Sequence, residues 1–189
     1  GPAHALLRTY PGAAPCNTTL QACITGATAT DTISITTAAV IDESLTIPKS
    51  LTLMGAAGVN AVIGAGAAHR SVSLQDAGAG AVTIVVQDIT FDDVSFSITL
   101  DQGSGHQVTI AGCTIDSTSG GISANVQVPS TVAVQDNFVT APNSVVDIRT
   151  NIASVSAALT FARNRLTTAV ILASGCGIMR ARGPKSRHS

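Results

Sequence analysis

The chain has 189 residues, of which 11% are charged and 45% hydrophobic, and its formal net charge is −1. The length suits one domain with a substantial core. The charge argues against a nucleic-acid partner, which would require a basic face. No stretch approaches the roughly 20 continuous apolar residues of a membrane span, so we expect none.

The N-terminal segment, 1–30, predicts a lead-in followed by a cap. Residues 1–15 mix Gly, Pro and Ala without a period and are typical of a flexible segment. The next segment, 16–30, predicts a short capping helix, because Thr18 and Gln21 have the spacing of a capping box. Four apolar residues fall at helical spacing on one face of it: Leu20, Cys23, Ile24 and Ala27.

Residues 31–175 contain only short apolar stretches separated by Gly-, Asn-, Asp- and Ser-rich corners. A repeat can be aligned on Asp88, Gly112, Asp136 and Arg163, with two equal steps and a slightly longer third. Steps of this size indicate one structural unit per repeat, stacked on the next. Tight Asn-Gly or Asp-Gly hairpins, which a sandwich favours, are absent from the sequence. The sequence therefore predicts an all-β fold, a parallel β-helix solenoid of about six coils.

Equivalent positions of the repeat predict which side chains stack. We expect five apolar residues to precede a polar corner in successive coils: Leu74, Val86, Ile110, Val134 and Phe161. The residues that follow the corner are Ile89, Cys113, Asn137 and Asn164. Asn at a corner can adopt left-handed backbone angles and bond to its neighbour one coil away, so we expect a short polar ladder. Cys113 at such a position is interpreted as a buried, reduced thiol.

The C-terminal segment, 176–189, carries Arg180, Arg182, Lys185 and Arg187 and predicts a basic, disordered tail. No second cap is visible after Leu172. Three explanations stay open: the chain is a piece of a longer protein, the tail folds over the last coil, or two molecules associate end to end through an uncapped C-terminal coil.

Two segments carry a family resemblance. Residues 16–35 and 45–58 resemble the opening of bacterial extracellular right-handed parallel β-helix proteins, and the later V-T-I-x-x-N-type repeats resemble the broader pectin-lyase-like superfamily. The resemblance implies a right-handed β-helix that is secreted or displayed at the cell surface, with adhesin-like and carbohydrate-associated relatives. Polysaccharide or a cell-surface molecule is then the expected partner. In such a compartment we expect Cys16 and Cys23 to form a local disulfide.

The best candidate for chemistry is an acidic cluster of Asp92, Asp93 and Asp116. Asp116 follows Asp92 by one step of the repeat, so stacking would bring the two carboxylates within about 5 Å. Such a pair could serve glycoside hydrolysis, bind calcium or form a solvated turn, and we favour the turn. We accordingly predict no metal and no cofactor.

His106 is the second candidate. Asp92-Asp93 with Gly105-His106 is similar to the D-D and G-H-G motifs of polygalacturonase-like hydrolases, but Gln107 follows His106 and no N-T-D or R-I-K segment is present. A corner role is therefore the preferred interpretation of His106. Arg149, Arg163 and Arg165 lie on later coils, and nothing in the sequence places them beside Asp92.

These observations favour a non-catalytic extracellular or cell-surface scaffold of adhesin-like type, one that contacts carbohydrate. The alternative is a polysaccharide lyase or glycoside hydrolase of the pectin-lyase-like superfamily. Fold resemblance alone does not choose between them, because this superfamily carries both kinds of function.

Overall fold

The computed structural model describes residues 5–66, 68–78, 80–141, 146–150, 157–167, 171–174 and 179–181. Within them the chain forms one helix, α1 (Leu20–Gly26), and the strands β1 (Leu7–Tyr10), β2 (Thr32–Ile35), β3 (Leu45–Ile47), β4 (Leu51–Gly55), β5 (Val62–Gly64), β6 (Arg70–Gln75), β7 (Thr83–Gln87), β8 (Thr90–Asp92), β9 (Val94–Leu100), β10 (His106–Ala111), β11 (Thr114–Asp116), β12 (Ile122–Val126), β13 (Ser130–Gln135), β14 (Phe138–Thr140), β15 (Val146–Thr150), β16 (Ala157–Ala162), β17 (Arg165–Thr167), β18 (Ile171–Ser174) and β19 (Met179–Ala181).

The strands form three parallel sheets. Sheet A has the order β1-β2-β4-β7-β10-β13-β16-β19, sheet B the order β17-β14-β11-β8-β5, and sheet C the order β18-β15-β12-β9-β6-β3. From β7 onward the chain visits A, B and C in turn, so each coil contributes one strand to each sheet. This arrangement is a parallel β-solenoid of about six turns, which confirms the predicted fold class.

Successive side chains of each strand point alternately inward and outward, and the inward ones are mostly apolar. In β9 every second residue from Val94 to Leu100 is buried, and parallel register then aligns the inward residues of successive coils. One column in sheet A runs through Ile33, Leu53, Val86, Ile110, Val134 and Phe161.

That column confirms four of the five predicted stacking residues and corrects the fifth. Leu74 lies in sheet C, where it pairs with Ile47 and Ile98. Leu53 occupies the equivalent place below Val86. The first coils carry longer Gly- and Ala-rich turns, so the regular step of the later repeats does not extend back to them.

The core contains a pair of aromatic rings, one from sheet B and one from sheet C. Phe91 and Phe96 are fully buried on neighbouring strands of one coil, with ring centroids 4.6 Å apart and planes at 83°. An edge-to-face pair of this kind adds about 1 kcal/mol to the free energy of burial. Cys113 is also buried, and burial raises the pKa of its thiol to about 12, so it packs as a small apolar residue, as predicted.

The corner between sheets A and B uses one left-handed residue in each of four successive coils. These residues, with φ between 55° and 63°, are Asp88, Gly112, Asp136 and Arg163. The prediction that the following Asn adopts this conformation was therefore wrong by one position. The residue before the Asn makes the bend. The Asn side chain then lies inside the corner and bonds to the adjacent coil.

The predicted asparagine ladder lies inside this corner. Oδ1 of Asn137 accepts the N–H of Cys113 at 2.9 Å, and Nδ2 donates to the carbonyl of Ile110 at 2.9 Å. Nδ2 also donates to Oδ1 of Asn164 at 3.0 Å, one coil further on. Asn137 is buried, so these bonds satisfy backbone groups that water cannot reach.

Helix α1 closes the first coil with the four predicted apolar residues buried. Its N-cap is Thr19, whose hydroxyl accepts the N–H of Ala22, and the predicted Thr18–Gln21 capping box does not form. Gln21 instead bonds to both backbone groups of Thr46 on β3. The carboxylate of Glu43 accepts the N–H groups of Leu20 and Gln21, so a side chain from the next coil completes the cap.

The cap is also tied down covalently, because Cys16 and Cys23 are disulfide-bonded. Before it, the predicted lead-in contains strand β1, which pairs with β2. Asp31 anchors this strand: it is fully buried and accepts the N–H of Leu6, the guanidinium of Arg8, and the N–H and hydroxyl of Thr28. This tertiary contact holds the described part of the lead-in around Leu6 and Arg8, and no local pattern reveals it.

At the other end, strand β19 lies inside the predicted basic tail and pairs with β16. Residues 175–178 and 182–189 lie outside the described residues. The association of two molecules through the C-terminal coil therefore stays a prediction. Among the described residues, no helix is both long and apolar enough to cross a membrane.

We predict that Asn137→Ala lowers the free energy of unfolding by about 3 kcal/mol, because it leaves buried backbone groups at Cys113 and Ile110 without partners. Asn125→Ala is the matched control. Asn125 lies on the outer side of β12, only partly buried, so its removal should cost less than about 0.5 kcal/mol. Urea unfolding followed by circular dichroism measures both; equal losses would contradict the ladder's role.

We predict that Asp31 makes the protein acid-sensitive. Burial alone would raise the pKa of this carboxyl, but Arg8 and the N–H groups of Leu6 and Thr28 outweigh it and hold the pKa well below its ordinary value. The stabilisation is therefore complete above the unfolded pKa of about 3.9 and is lost as the pH falls toward the lower folded value.

The measurement is the melting temperature between about pH 5 and pH 3. Asp31→Asn should melt lower at neutral pH and lose less on acidification than the wild type. Asp101→Asn, an exposed carboxylate, should keep the wild-type pH dependence. If Asp31→Asn and the wild type lost stability in parallel as the pH fell, the assignment would be wrong.

Candidate functional site

The turns that lead from sheet B to sheet C carry a group of polar side chains that contact one another across coils. We call this region the B–C corner; its turns connect β5 to β6, β8 to β9 and β11 to β12. It contains the three carboxylates of the predicted acidic cluster.

Asp92 and Asp116 lie side by side, as predicted. They are partners in the register of β8 and β11, and both are exposed. Gly64 precedes Asp92 in the same row and Thr140 follows Asp116. The described residues contain no cluster of three or more His, Cys, Asp or Glu side chains arranged to bind a metal ion.

Asp93 takes a different direction from its neighbour. Its φ of 54° turns the chain from β8 into β9, and its carboxylate faces the adjacent coils. Oδ1 accepts the N–H and the hydroxyl of Thr118 from the coil above. The same oxygen lies 3.0 Å from Nδ1 of His69 in the coil below.

His69 connects three coils. Its Nδ1 faces Asp93, and its Nε2 lies 3.1 Å from Oγ of Ser95 and 3.0 Å from Oγ of Ser119. The imidazole is 34% exposed and the Asp93 side chain 29% exposed, so solvent and small solutes reach both. The corner therefore holds an aspartate, a histidine and two serine hydroxyls in one hydrogen-bonded chain.

The sequence-based search missed His69, Ser95 and Ser119. The repeat contained a usable signal, because His69 precedes Asp93 by one step of the repeat and Ser95 precedes Ser119 by the same step. These positions lie in the turns rather than in the apolar stretches on which the repeat was aligned. Turn residues contribute nothing to a hydrophobic period, which is why the alignment passed over them.

The Asp93 carboxylate determines which tautomer a neutral His69 adopts. The hydroxyl of Thr118 and the ring of His69 together lower the pKa of Asp93 to about 2. An ionised carboxylate only accepts hydrogen bonds, so we place the proton of a neutral His69 on Nδ1. In this tautomer Nε2 accepts hydrogen bonds and faces the two serine hydroxyls.

His106 is far less accessible. It is fully buried at the start of β10 in sheet A. Nδ1 accepts the N–H of Val82 at 3.2 Å, and Nε2 donates to the carbonyl of Gln102 at 2.6 Å. Asp76, 3.5 Å from Nε2, supports the same turn through the N–H groups of Asp101 and Gln102. Both ring nitrogens thus serve the fold.

The arginines considered from the sequence are engaged elsewhere. Arg163 pairs with Asp136, and Arg149 pairs with Asp147. The guanidinium of Arg165 lies 5.5 Å from the ring centre of Phe138. Near the B–C corner itself, Arg70 forms a two-point ion pair with Asp42.

The outer side of sheet C is a second feature of the surface. Parallel register aligns its outward side chains into two polar rows across successive coils. We call this surface the hydroxyl face; its rows are Thr46, Ser73, Ser97 and Ser123, and Gln75, Thr99 and Asn125.

No protein-family model, curated protein or solved structure matches the chain. The structure itself defines the class: a parallel β-solenoid with a helical, disulfide-bonded N-terminal cap.

We predict that the double substitution Asp92→Asn and Asp116→Asn changes the melting temperature by little, because both carboxylates are exposed at the ends of β8 and β11. Millimolar calcium should leave the melting temperature of the wild type unchanged. A rise of several degrees with calcium that is absent from the double variant would identify a metal site instead.

Proposed function

We propose that this protein is an extracellular or cell-surface β-solenoid scaffold of adhesin-like type that binds carbohydrate on its hydroxyl face. The proposal includes kinship with the pectin-lyase-like superfamily, which rests on the later V-T-I-x-x-N-type repeats together with the parallel solenoid.

The hydroxyl face is the observation that carries the proposal. Its rows place hydroxyl and amide groups at the spacing of the coils, about 4.8 Å, on the outer side of one parallel sheet. Carbohydrates present hydroxyls at both donor and acceptor positions, which Ser, Thr, Asn and Gln side chains match. Because the strands of sheet C are held in register by parallel pairing with adjacent coils, little entropy is lost when the surface binds a chain of sugars.

The disulfide supports the extracellular part of the proposal. Cys16 and Cys23 are bonded within the cap, and such bonds persist in oxidising compartments. The low share of charged residues, 11%, is also consistent with a surface whose polarity comes from hydroxyls and amides.

The alternative, a polysaccharide lyase or hydrolase, depends on Asp92 and Asp116. Their adjacency in register favours it. A lyase would in addition require a base near a cation-binding carboxylate cluster, and the arginines of later coils that we describe are paired with Asp136 and Asp147 or packed on Phe138. We therefore favour carbohydrate binding over polysaccharide cleavage as the function.

The test is a screen of the folded protein against a panel of polysaccharides. Binding is measured by calorimetry, and cleavage by unsaturated-product absorbance and by reducing ends. We expect binding without cleavage of the chain. Thr99→Ala with Asn125→Ala should weaken binding at least about fivefold, given roughly 1 kcal/mol for a hydrogen bond.

Thr52→Ala with Thr109→Ala is the matched control, because both residues face outward on sheet A and their loss should leave binding unchanged. Backbone cleavage of any polymer that disappears in Asp92→Ala or Asp116→Ala would reject the scaffold in favour of the enzyme.

A further inference from the structure

The B–C corner contains the parts of a nucleophilic catalyst in the order that acyl transfer requires. A carboxylate oxygen of Asp93 contacts Nδ1 of His69, and Nε2 of the same ring contacts Oγ of Ser119. In serine hydrolases this order lets the imidazole remove the hydroxyl proton while the carboxylate orients the ring and stabilises its charged form.

We propose that His69, Asp93 and Ser119 form an ester-hydrolysing site that removes small acyl groups, such as acetyl, from hydrophilic alcohols. This activity goes beyond the carbohydrate-binding function proposed above and does not depend on it, since the residues differ from those of the hydroxyl face.

Two observations distinguish Ser119 from Ser95 as the nucleophile. Ser119 is exposed in the turn after β11, whereas Ser95 lies within β9 and is only partly exposed. An ester can therefore approach Ser119 from solvent, while the position of Ser95 is set by the strand. Ser95 supplies a second hydroxyl to Nε2 at 3.1 Å, which holds the ring in place.

A donor for the developing negative charge follows the nucleophile directly. The N–H of Gly120 makes only a long bond, 3.3 Å, to Oγ of Ser117. The N–H of the residue after a serine nucleophile is a recurrent oxyanion donor, and we assign this role to Gly120. A Cβ at Gly120 would meet no atom within 4 Å, so the side of this residue where a side chain would lie is open.

The surroundings set the substrate class. Oγ of Ser119 contacts the imidazole of His69, and the hydroxyls of Ser95 and Thr118 bond to the same His69–Asp93 pair. This surface is polar, so it favours a short acyl group over a long apolar one and an alcohol that is itself hydrophilic.

The reaction proceeds in two steps. Oγ of Ser119 bonds to the carbonyl carbon as its proton passes to Nε2 of His69; the bond to the alcohol oxygen then breaks, and the alcohol leaves with that proton. Water attacks the acyl-serine and gives a proton to His69. The bond from the carbonyl carbon to Oγ breaks, Ser119 recovers the proton, and the carboxylic acid departs.

The experiment uses the whole chain with p-nitrophenyl acetate and a fluorophosphonate probe. We expect hydrolysis with an initial burst of nitrophenolate, and a probe adduct that peptide mass spectrometry locates at Ser119. Ser119→Ala, His69→Gln and Asp93→Asn should each lower turnover at least about tenfold. Ser104→Ala, an exposed serine in the turn before β10, is the matched control and should keep wild-type turnover and labelling.

Several results would overturn the proposal. Turnover that falls in His69→Gln but persists in Ser119→Ala would show that the imidazole alone attacks the ester. Labelling at Ser95 would move the nucleophile away from Ser119, and absence of both burst and adduct would exclude acyl transfer. Circular dichroism of each variant confirms folding, and calorimetry with polysaccharide tests the carbohydrate-binding function separately.

Discussion

Parallel, in-register hydrogen bonding between one coil and the next is the constraint on which everything else in this molecule depends. Each strand pairs with its equivalents in the coils before and after it, as β10 does with β7 and β13. Once this register is set, a residue can only stack on the residue at the same place in the next coil. The apolar columns, the asparagine ladder and the polar rows are all consequences of this one constraint.

The same constraint divides the polar residues into two groups. Those that point inward, such as Asn137 and His106, use their hydrogen-bonding atoms on backbone groups of neighbouring coils. In the described part of the chain no buried side-chain nitrogen or oxygen lacks a partner. Those that point outward at the B–C corner, such as His69 and Ser119, bond to each other and remain open to solvent. Chemistry is therefore available at the corner and not in the interior.

The repeat also shows how a site can arise from a solenoid. Asp93 contacts one residue in the coil below and another in the coil above, namely His69 and Thr118. No single repeat contains the full set of groups. Stacking supplies the missing neighbours at a separation of about 4.8 Å per coil, so a site of three coils forms from residues that are distant in the sequence.

Local sequence was sufficient to predict the alternation of the strands, the regular step from Val86 to Val134, the buried face of α1 and the adjacency of Asp92 and Asp116, because each depends on the side-chain period or on a constant repeat. Only the tertiary structure decided that Asp31 orders β1, that Glu43 completes the cap, and that His69 meets Asp93 and Ser119. These contacts join turns of different coils. A turn has no hydrophobic period, so its partner is determined only when the coils stack.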